Sequence, residues 1–192
     1  MDKIIKIKTG EIHKDKQNCV FVSVLCKDAM PFINLKEQKK NRDKNMKIPM
    51  VLMQFRWDGK IGFPGGKVDD LDKENGIVTK ETLIKSLVRE MEEELNLDTS
   101  TVDISKFKPL CTFLMKNNCI HNFIYEVSFD ELKKIYRDTV DVDNILSENC
   151  GSIVLHLKEY STDKGLAAIR SHKYCATALL ELEEVLKYLE IC

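Results

Sequence analysis

Three glutamates in the middle of the chain have the type and spacing of a metal-binding site. Glu90, Glu93 and Glu94 stand at i, i+3 and i+4, so they share one face of a predicted helix, whereas Glu92 points elsewhere. Like charges within one turn repel one another unless a cation lies among them. Hard carboxylate oxygens favour Mg²⁺ or Mn²⁺. The alternative interpretation is a solvated acidic helix face, which these three residues alone do not exclude.

The sequence predicts an N-cap and a buried face for this helix, and a glycine pair before it that lies near a bound ligand. Thr79 is the predicted N-cap. The glycine pair Gly65-Gly66 precedes the helix, and missing side chains there let the backbone approach a ligand closely. An apolar stripe beside the acidic face predicts a buried side; it consists of Ile84, Val88, Met91 and Leu95.

Residues 65–97 resemble the Nudix box, a motif that runs from a glycine through a glutamate to Arg-Glu-x-x-Glu-Glu-x-Gly. The three glutamates match its metal ligands, and Arg89 matches its structural arginine. Asn96 replaces the last glycine at a helix end that favours a left-handed backbone, for which asparagine is the second choice. The resemblance therefore implies a Mg²⁺ or Mn²⁺ site.

An inserted loop near residues 70–78 separates the glycines from the helix and complicates one assignment. In the Nudix box the first glutamate pairs with the structural arginine. Counting back from Arg89 places Glu81 at this position, and Glu74, inside the insertion, is the weaker competitor. We predict that Glu81 is the structural partner of Arg89.

A second run of residues is similar to the U8 small nucleolar RNA decapping branch of the Nudix superfamily. Residues 52–69 contain Leu-Met-Gln-x-Arg-x-Asp-Gly followed by Gly-Phe-Pro-Gly-Gly-x-Val-Asp. This run is more specific than the box alone. The similarity covers residues 50–97 well and the first 48 and last 50 residues poorly.

This resemblance implies roles for residues outside the helix. Gly66 is expected to present its carbonyl to a metal, Arg56 to contact the phosphates of a nucleotide, and Phe63 to lie at the nucleobase pocket. The glutamine position of the family falls near Glu181. The residue types also allow simpler interpretations: a strand-edge surface position for Arg56 and a core position for Phe63.

The resemblance further implies hydrolysis of a diphosphate by a metal-activated water molecule. Glu93 or Glu94 is expected to be both ligand and proton acceptor, with Glu90 as a ligand. A carboxylate from a later loop is the alternative, and Glu148 is its candidate as metal ligand or general base. The histidine that stacks on the purine in this branch has no counterpart in residues 19–23, so purine selectivity stays open.

Apolar runs that alternate with helix signals predict the fold. Strands are predicted at residues 18–26, 49–57, 60–63, 107–115, 119–127 and 151–157, and later helices at 128–137 and 174–189. This order fits an α/β/α sandwich, and the resemblance implies the Nudix fold with a mixed β-sheet. Residues 1–192 are expected to form a single domain.

The composition of the chain limits the kinds of binding partner and the cellular location that we expect. The formal net charge of −1 argues against a large nonspecific electrostatic attraction to nucleic acid. The basic run at residues 36–47 is a local candidate for binding RNA, and a solvated loop explains it equally well. Seven scattered cysteines favour reduced thiols and an intracellular protein, in the cytoplasm or nucleus. No run reaches the length of a membrane-spanning helix, and relatives in this branch imply a homodimer.

Two function classes remain. The first is a metal-dependent Nudix diphosphatase that acts on capped RNA ends or on free (deoxy)inosine or guanosine nucleotides, with ADP-ribose-type substrates still open. The second is a catalytically silent Nudix scaffold that binds RNA or a protein partner. Silent relatives usually lose a box glutamate, and this chain retains all three.

Overall fold

The computed structural model describes residues 3–30, 47–139 and 149–191. The strands are β1 (Ile5–Ile7), β2 (Gln17–Ala29), β3 (Ile48–Arg56), β4 (Ile61–Gly62), β5 (Gly65–Lys67), β6 (Phe107–Leu114), β7 (Asn118–Glu126), β8 (Asn149–His156), β9 (Glu159–Ser161) and β10 (Lys164–Gly165). The α-helices are α1 (Lys80–Leu95), α2 (Phe129–Asp138), α3 (Leu166–Arg170) and α4 (Ala178–Tyr188).

Eight of these strands form one mixed sheet within the described ranges. Its main path is β1-β6-β7-β2-β3-β4, with β5 paired to β2 and β8 paired to β3. Strands β2 and β7 run parallel, whereas the other pairs in this sheet are antiparallel. The mixed sheet that the sequence predicted is confirmed.

Helices cover both faces of this sheet because its central strands are apolar on both sides. Along β2 the side chains alternate: Val20, Val22 and Val24 pack in one core cluster with α1 and α2. Leu25 packs in a second cluster with α3 and α4. The arrangement is the predicted α/β/α sandwich.

Strand β2 changes partner halfway along its length, and this change positions the glycine pair. Its first half pairs with β5, where Val20 faces Gly66 and Phe21 faces Gly65. Its second half pairs with β3, where Val24 faces Leu52. The glycines therefore lie in the sheet next to the helix layer that contains α1, which contacts β5 directly.

The predicted strands and the predicted N-caps at Thr79 and Ser128 are confirmed. The closing helix begins at Ala178 rather than at residue 174, because Cys175 donates its backbone N–H to the carbonyl of Ile61 at 2.9 Å. Strands β1, β5, β9 and β10 and helix α3 are short and were not predicted. Among the described helices, none combines the length and apolarity that crossing a bilayer requires.

Candidate active site

Helix α1 places the three glutamates beside the glycine pair of β5, where the chain turns into the strand after Pro64. Thr79 caps it by accepting a hydrogen bond from the N–H of Thr82, and Asn96 ends it in the left-handed conformation with φ 52°. Residues Leu83, Leu87, Met91 and Leu95 are buried in the core. The buried stripe thus includes Leu83 and Leu87, whereas Ile84 and Val88 pack against the core and are only partly buried.

Glu94 fixes the first glycine of the turn. The N–H of Gly65 donates to Oε2 of Glu94 at 2.6 Å. Gly65 has φ 134°, and a Cβ at this position would lie 2.1 Å from the carbonyl oxygen of Val20. Only glycine fits both the backbone conformation and this close approach, so the turn is held by β2 on one side and by α1 on the other.

Glu90 lies directly against the second glycine. Its side chain is buried, with the residue 8% exposed, and a Cβ on Gly66 would lie 2.7 Å from its Oε1. Burial raises the pKa of Glu90 to about 7; the Arg89 charge opposes this rise and the Glu93 charge adds to it. The absence of a side chain at Gly66 therefore leaves space for the Glu90 carboxylate.

Arg89 gathers two of the three glutamates. Its Nη2 donates to Oε1 of Glu90 at 2.9 Å, and its Nη1 donates to Oε2 of Glu93 at 2.8 Å. The same Nη2 also donates to the carbonyl of Lys67 at 3.1 Å, which joins the helix to β5. A planar guanidinium suits this task because its donors are fixed in direction.

The prediction that Glu81 pairs with Arg89 is wrong. Glu81 is exposed in the first turn of α1, two helical turns from Arg89, and Asp72 binds the arginine instead. Asp72 is 4% exposed, and its Oδ2 accepts hydrogen bonds from Ser86 at 2.8 Å and from Nε and Nη2 of Arg89 at 3.3 Å each. The competitor Glu74 is exposed beyond the 3₁₀ turn that carries Asp72.

Asp72 reaches the arginine because the inserted loop folds back on α1. Residues Asp70–Asp72 form a 3₁₀ turn in which the N–H of Asp69 donates to Oδ2 of Asp72 at 3.3 Å. Partial burial acts to raise the pKa of Asp72, but the Ser86 hydrogen bond and the Arg89 charge lower it overall. The only signal in the sequence was the pair of acids at Asp69 and Asp72, three residues apart as a capping box requires.

A pocket of about 450 Å³, which we call the main pocket, opens beside Glu90 and Glu93. Glu90 and Glu93 line one side together with Gly65, Gly66 and Arg89. The lining also includes the three residues with predicted substrate roles: Arg56, Phe63 and Glu181. The fold therefore brings Gly66, Glu90 and Glu93 to one cavity with the predicted substrate-binding residues. Glu94 is not among the lining residues.

Arg56 and Phe63 meet this pocket from the strands. Nε of Arg56 lies 3.5 Å from Oδ1 of Asp58, and the aliphatic part of its side chain passes Gly62, where a Cβ would lie 3.4 Å from Cδ. Phe63 is 3% exposed and belongs to the core cluster below α4. Phe63 is thus a core residue and a pocket residue at once.

Glu181 is a buried carboxyl group in the pocket wall, 2% exposed. Asn122 Nδ2 donates to its Oε2 at 2.6 Å, and Thr177 Oγ1 donates to its Oε1 at 2.5 Å. Burial raises the pKa of Glu181, and these two hydrogen bonds oppose the rise. Ser23 Oγ in turn donates to Oδ1 of Asn122 at 2.9 Å. The sequence did not indicate Asn122, Thr177 or Ser23, because β2 and β7 bring them together only in the folded chain.

The donor set fits a hard divalent cation. Carboxylate and backbone carbonyl oxygens are the ligands that Mg²⁺ and Mn²⁺ accept, and Mg²⁺ keeps several water molecules and uses few carboxylates. Across the described residues, no three His, Cys, Asp or Glu side chains converge as a ready-made cage. The cause is local: Arg89 engages Glu90 and Glu93, and Glu94 binds the turn.

One predicted site residue and most of one predicted binding segment are not among the described residues. Glu148 lies outside the described residues, as does the basic run at residues 36–47 except for Lys47. Among the described histidines none lines the main pocket. His121 is a core residue: its Nε2 lies 3.0 Å from Oδ1 of Asn18, and burial lowers its pKa to about 4.

Comparison with known sequences identifies one family. A model described as Nudt16-like: U8 snoRNA-decapping enzyme-like matches residues 28–192. A U8 snoRNA-decapping enzyme of Homalodisca vitripennis is 38% identical over 109 residues, covering 56% of this chain and 54% of that protein. The enzyme of the same description from Xenopus laevis is 32% identical over 95 residues, covering 48% of this chain and 41% of that protein. The chain matches about half the length of these relatives.

Solved structures share the fold at low sequence identity. A mutT/nudix family protein from Listeria innocua superposes with a TM-score of 0.53 at 12% identity, covering 91% of this chain and 94% of that chain. The NUDIX domain of Shewanella oneidensis NrtR, solved with ADP ribose, has a TM-score of 0.51 at 13% identity, covering 91% and 88%. These likenesses show the Nudix fold.

Proposed function

Because the chain belongs to the Nudt16-like, U8 snoRNA-decapping enzyme-like family of Nudix proteins, we propose that it is a metal-dependent diphosphatase. Its reaction is hydrolysis of the pyrophosphate linkage in a nucleotide derivative. Capped RNA ends are the first candidate substrate, and free (deoxy)inosine or guanosine nucleotides are the second. The observation that carries this proposal is the convergence of Glu90 and Glu93 with Arg56 and Glu181 on one pocket of about 450 Å³.

The proposed metal ligands are Glu90, Glu93, Glu94 and the carbonyl of Gly66, with Mg²⁺ or Mn²⁺ as the ion. When bound, the ion polarises the phosphoryl oxygens and lowers the pKa of the attacking water. The protein contributes the positions of the carboxylates: Gly66 leaves space for Glu90, and the Gly65 turn holds Glu94. Glu148, as a further ligand or base, remains a prediction.

Of the two candidate general bases, Glu93 is the better placed. Both carboxylates accept a hydrogen bond, Glu93 from Nη1 of Arg89 and Glu94 from the N–H of Gly65. Glu93, however, lines the pocket with a side chain that is 46% exposed, whereas Glu94 is not among the lining residues. In the proposed step the water oxygen forms a bond to phosphorus, its proton passes to a carboxylate, and the bridging P–O bond breaks. Arg89 and Asp72 keep the carboxylates in place.

Arg56, Phe63 and Glu181 form the proposed substrate side. A guanidinium binds phosphate oxygens with two parallel hydrogen bonds, which suits Arg56 at the pocket wall. Phe63 supplies an apolar contact for a nucleobase. The Glu181 carboxyl offers an acceptor, and guanine and hypoxanthine carry a ring N–H donor, so Glu181 favours these two nucleobases over adenine.

A hydrolysis panel tests the proposal. Purified protein is incubated with Mg²⁺ or Mn²⁺ and, separately, with inosine and guanosine diphosphates, ADP-ribose, a free dinucleotide cap and a capped RNA, and the products are identified by mass. Cleavage within the pyrophosphate of any of these supports the diphosphatase, and the preferred one names the substrate. Silence on every substrate, with metal demonstrably bound, overturns it in favour of the silent scaffold.

Two accompanying proposals concern where the protein acts and its assembly. The described cysteines at positions 19, 26, 111, 119, 150 and 175 are free thiols, which supports a reducing, intracellular location in the cytoplasm or nucleus. A homodimer is proposed from the relatives alone. Light scattering of the purified chain measures it directly.

A further inference from the structure

A second cavity, of about 120 Å³, is lined by Asn18, and the next residue, Cys19, lines the main pocket. We call this second cavity the lysine cleft, because Lys14, Lys16 and Lys73 line it together with Gln17 and residues 76–78. This volume holds a few water molecules and therefore a phosphate group. No catalytic or metal-binding role has been assigned above to any of these side chains.

The walls of the lysine cleft are held in place. On the N-terminal side, Nδ2 of Asn18 donates to the carbonyls of His13 and Lys16 at 3.0 and 3.2 Å. On the other side, the inserted loop turns at Asn75 and Gly76, with φ values of 53° and 72°. The N–H of Ile77 closes this turn on the carbonyl of Glu74 at 3.0 Å. The cleft is thus built by the insertion and the chain before β2.

The cleft and the main pocket border the same stretch of backbone. Gln17, in the cleft, donates through Nε2 to the carbonyl of Val68 at 3.0 Å. The preceding residue, Lys67, lines the main pocket. Lys73, in the cleft, directly follows Asp72, which holds Arg89 in the main pocket. The two cavities are therefore lined by neighbouring segments of the backbone.

The lysines are available to an anionic ligand. Lys16 lies 3.4 Å from Asp15, and Lys73 lies 2.6 Å from Asp70. The two lysine side chains are 25% and 21% exposed, whereas their aspartate partners are 71% and 94% exposed. An ion pair with an exposed carboxylate is worth about 0–1 kcal/mol, so a phosphate can replace these carboxylates. Lys14, which lines the cleft, and Lys67, which lines the main pocket, are both exposed.

We propose that the lysine cleft binds phosphodiester groups of the RNA chain whose capped end occupies the main pocket. This inference rests on the proposed function and adds a binding site for the RNA chain beyond the capped end. A free nucleotide or a dinucleotide cap ends inside the main pocket and gains nothing from the cleft. A capped RNA continues past Lys67 and meets Lys14, Lys16 and Lys73. The cleft thereby favours RNA ends over small nucleotides despite the net charge of −1.

The test compares a Lys14→Gln/Lys73→Gln variant with wild type on two ligands, a short capped RNA and a free dinucleotide cap. Lys16 is kept because its Nζ also donates to the carbonyl of Lys116 at 2.9 Å. A Lys133→Gln/Lys187→Gln variant removes the same charge from α2 and α4 and serves as the control. The dissociation constant is measured by fluorescence anisotropy and KM by product formation.

The expected result is a Kd and KM for capped RNA raised by about 10-fold in the cleft variant, with a shallower salt dependence. The dinucleotide cap and the control variant show wild-type values. Equal RNA affinity in the cleft and control variants, or no RNA binding by wild type, overturns the lysine cleft. Tight cleft-dependent RNA binding without hydrolysis of any substrate supports the cleft and overturns the proposed activity, so the two failures are distinguishable.

Discussion

The carboxylate of Asp72 lies against the guanidinium of Arg89, with Oδ2 at 3.3 Å from both Nε and Nη2. The same Nη2 also donates to Glu90, and Nη1 donates to Glu93, so the contact with Asp72 helps to orient both glutamates. Asp72 also accepts a hydrogen bond from Ser86 of α1, which lies 14 residues further along the chain. An aspartate of the inserted loop thus supports this helix. Asp72 is therefore a positioning residue for the proposed active site.

Replacing Asp72 with asparagine keeps the volume and removes the charge that holds Arg89. We expect kcat to fall at least about 10-fold, since small displacements of reacting groups cost up to about 100-fold. Unfolding free energy should fall by about 1–3 kcal/mol, because the buried pair is broken but Arg89 is partly solvated. Glu81→Gln is the control. Loss of activity in Glu81→Gln with none in Asp72→Asn would contradict this account and support Glu81 as the partner of Arg89.

Gly66→Ala tests the close approach between the turn and Glu90. The new Cβ would lie 2.7 Å from Oε1 of Glu90, so the carboxylate must move, and we expect kcat to fall by about 100-fold. Gly10→Ala is the matched control. Gly10 has nothing within 4 Å of its Cβ position, and unlike Gly66 it has a positive φ, of 77°. It should lose stability by about 1 kcal/mol and keep its kcat. Equal kcat losses in both variants would contradict this account.

Much of this arrangement follows from local patterns in the sequence, and the exceptions are non-local. The spacing of Glu90, Glu93 and Glu94 placed them on one helix because helical period acts over a few residues. Asn96 ended that helix for the same local reason. Asp72 was missed because no fixed spacing links an inserted loop to the helix that it contacts. The hydrogen bond between Asn122 and Glu181 spans 59 residues and depends on how the sheet pairs.

Glu126 makes the free energy of unfolding depend on pH in the acid range. Partial burial acts to raise its pKa, but hydrogen bonds from Tyr188, Lys108 and Lys27 lower it to about 2. A folded pKa below the unfolded value of 4.5 means that this stabilisation is complete above pH 4.5 and is lost as pH falls towards 2. We expect Glu126→Gln to remove about 1–2 kcal/mol at pH 7 after solvent screening.

Denaturant melts of wild type and Glu126→Gln at several pH values measure this effect. The difference in unfolding free energy should shrink as pH falls from 4.5 towards 2. Glu74→Gln, an exposed glutamate of the inserted loop, is the control and should match wild type throughout. A Glu126→Gln difference that stays constant over this range would show that the ion pairs do not stabilise the fold.

Arg56→Lys tests the proposed phosphate contact. Lysine keeps the charge but loses the two parallel donors of the guanidinium. We expect KM to rise about 10-fold with a smaller change in kcat, since a hydrogen bond to a charged group contributes about 1.5–3 kcal/mol. Arg137→Lys, on the exposed face of α2, is the control. An unchanged KM in Arg56→Lys would make Arg56 a structural residue.

The measurement that tests the central claim most directly is the Mn²⁺-dependent turnover of capped RNA by wild type, Glu93→Gln and Glu92→Gln. Both substitutions keep the side-chain volume and remove one exposed charge from adjacent positions of α1, but only Glu93 lines the pocket. We predict a kcat loss of about 100-fold or more in Glu93→Gln and near-wild-type kcat in Glu92→Gln. Wild-type turnover in Glu93→Gln, or equal losses in both variants, would contradict the proposed active site.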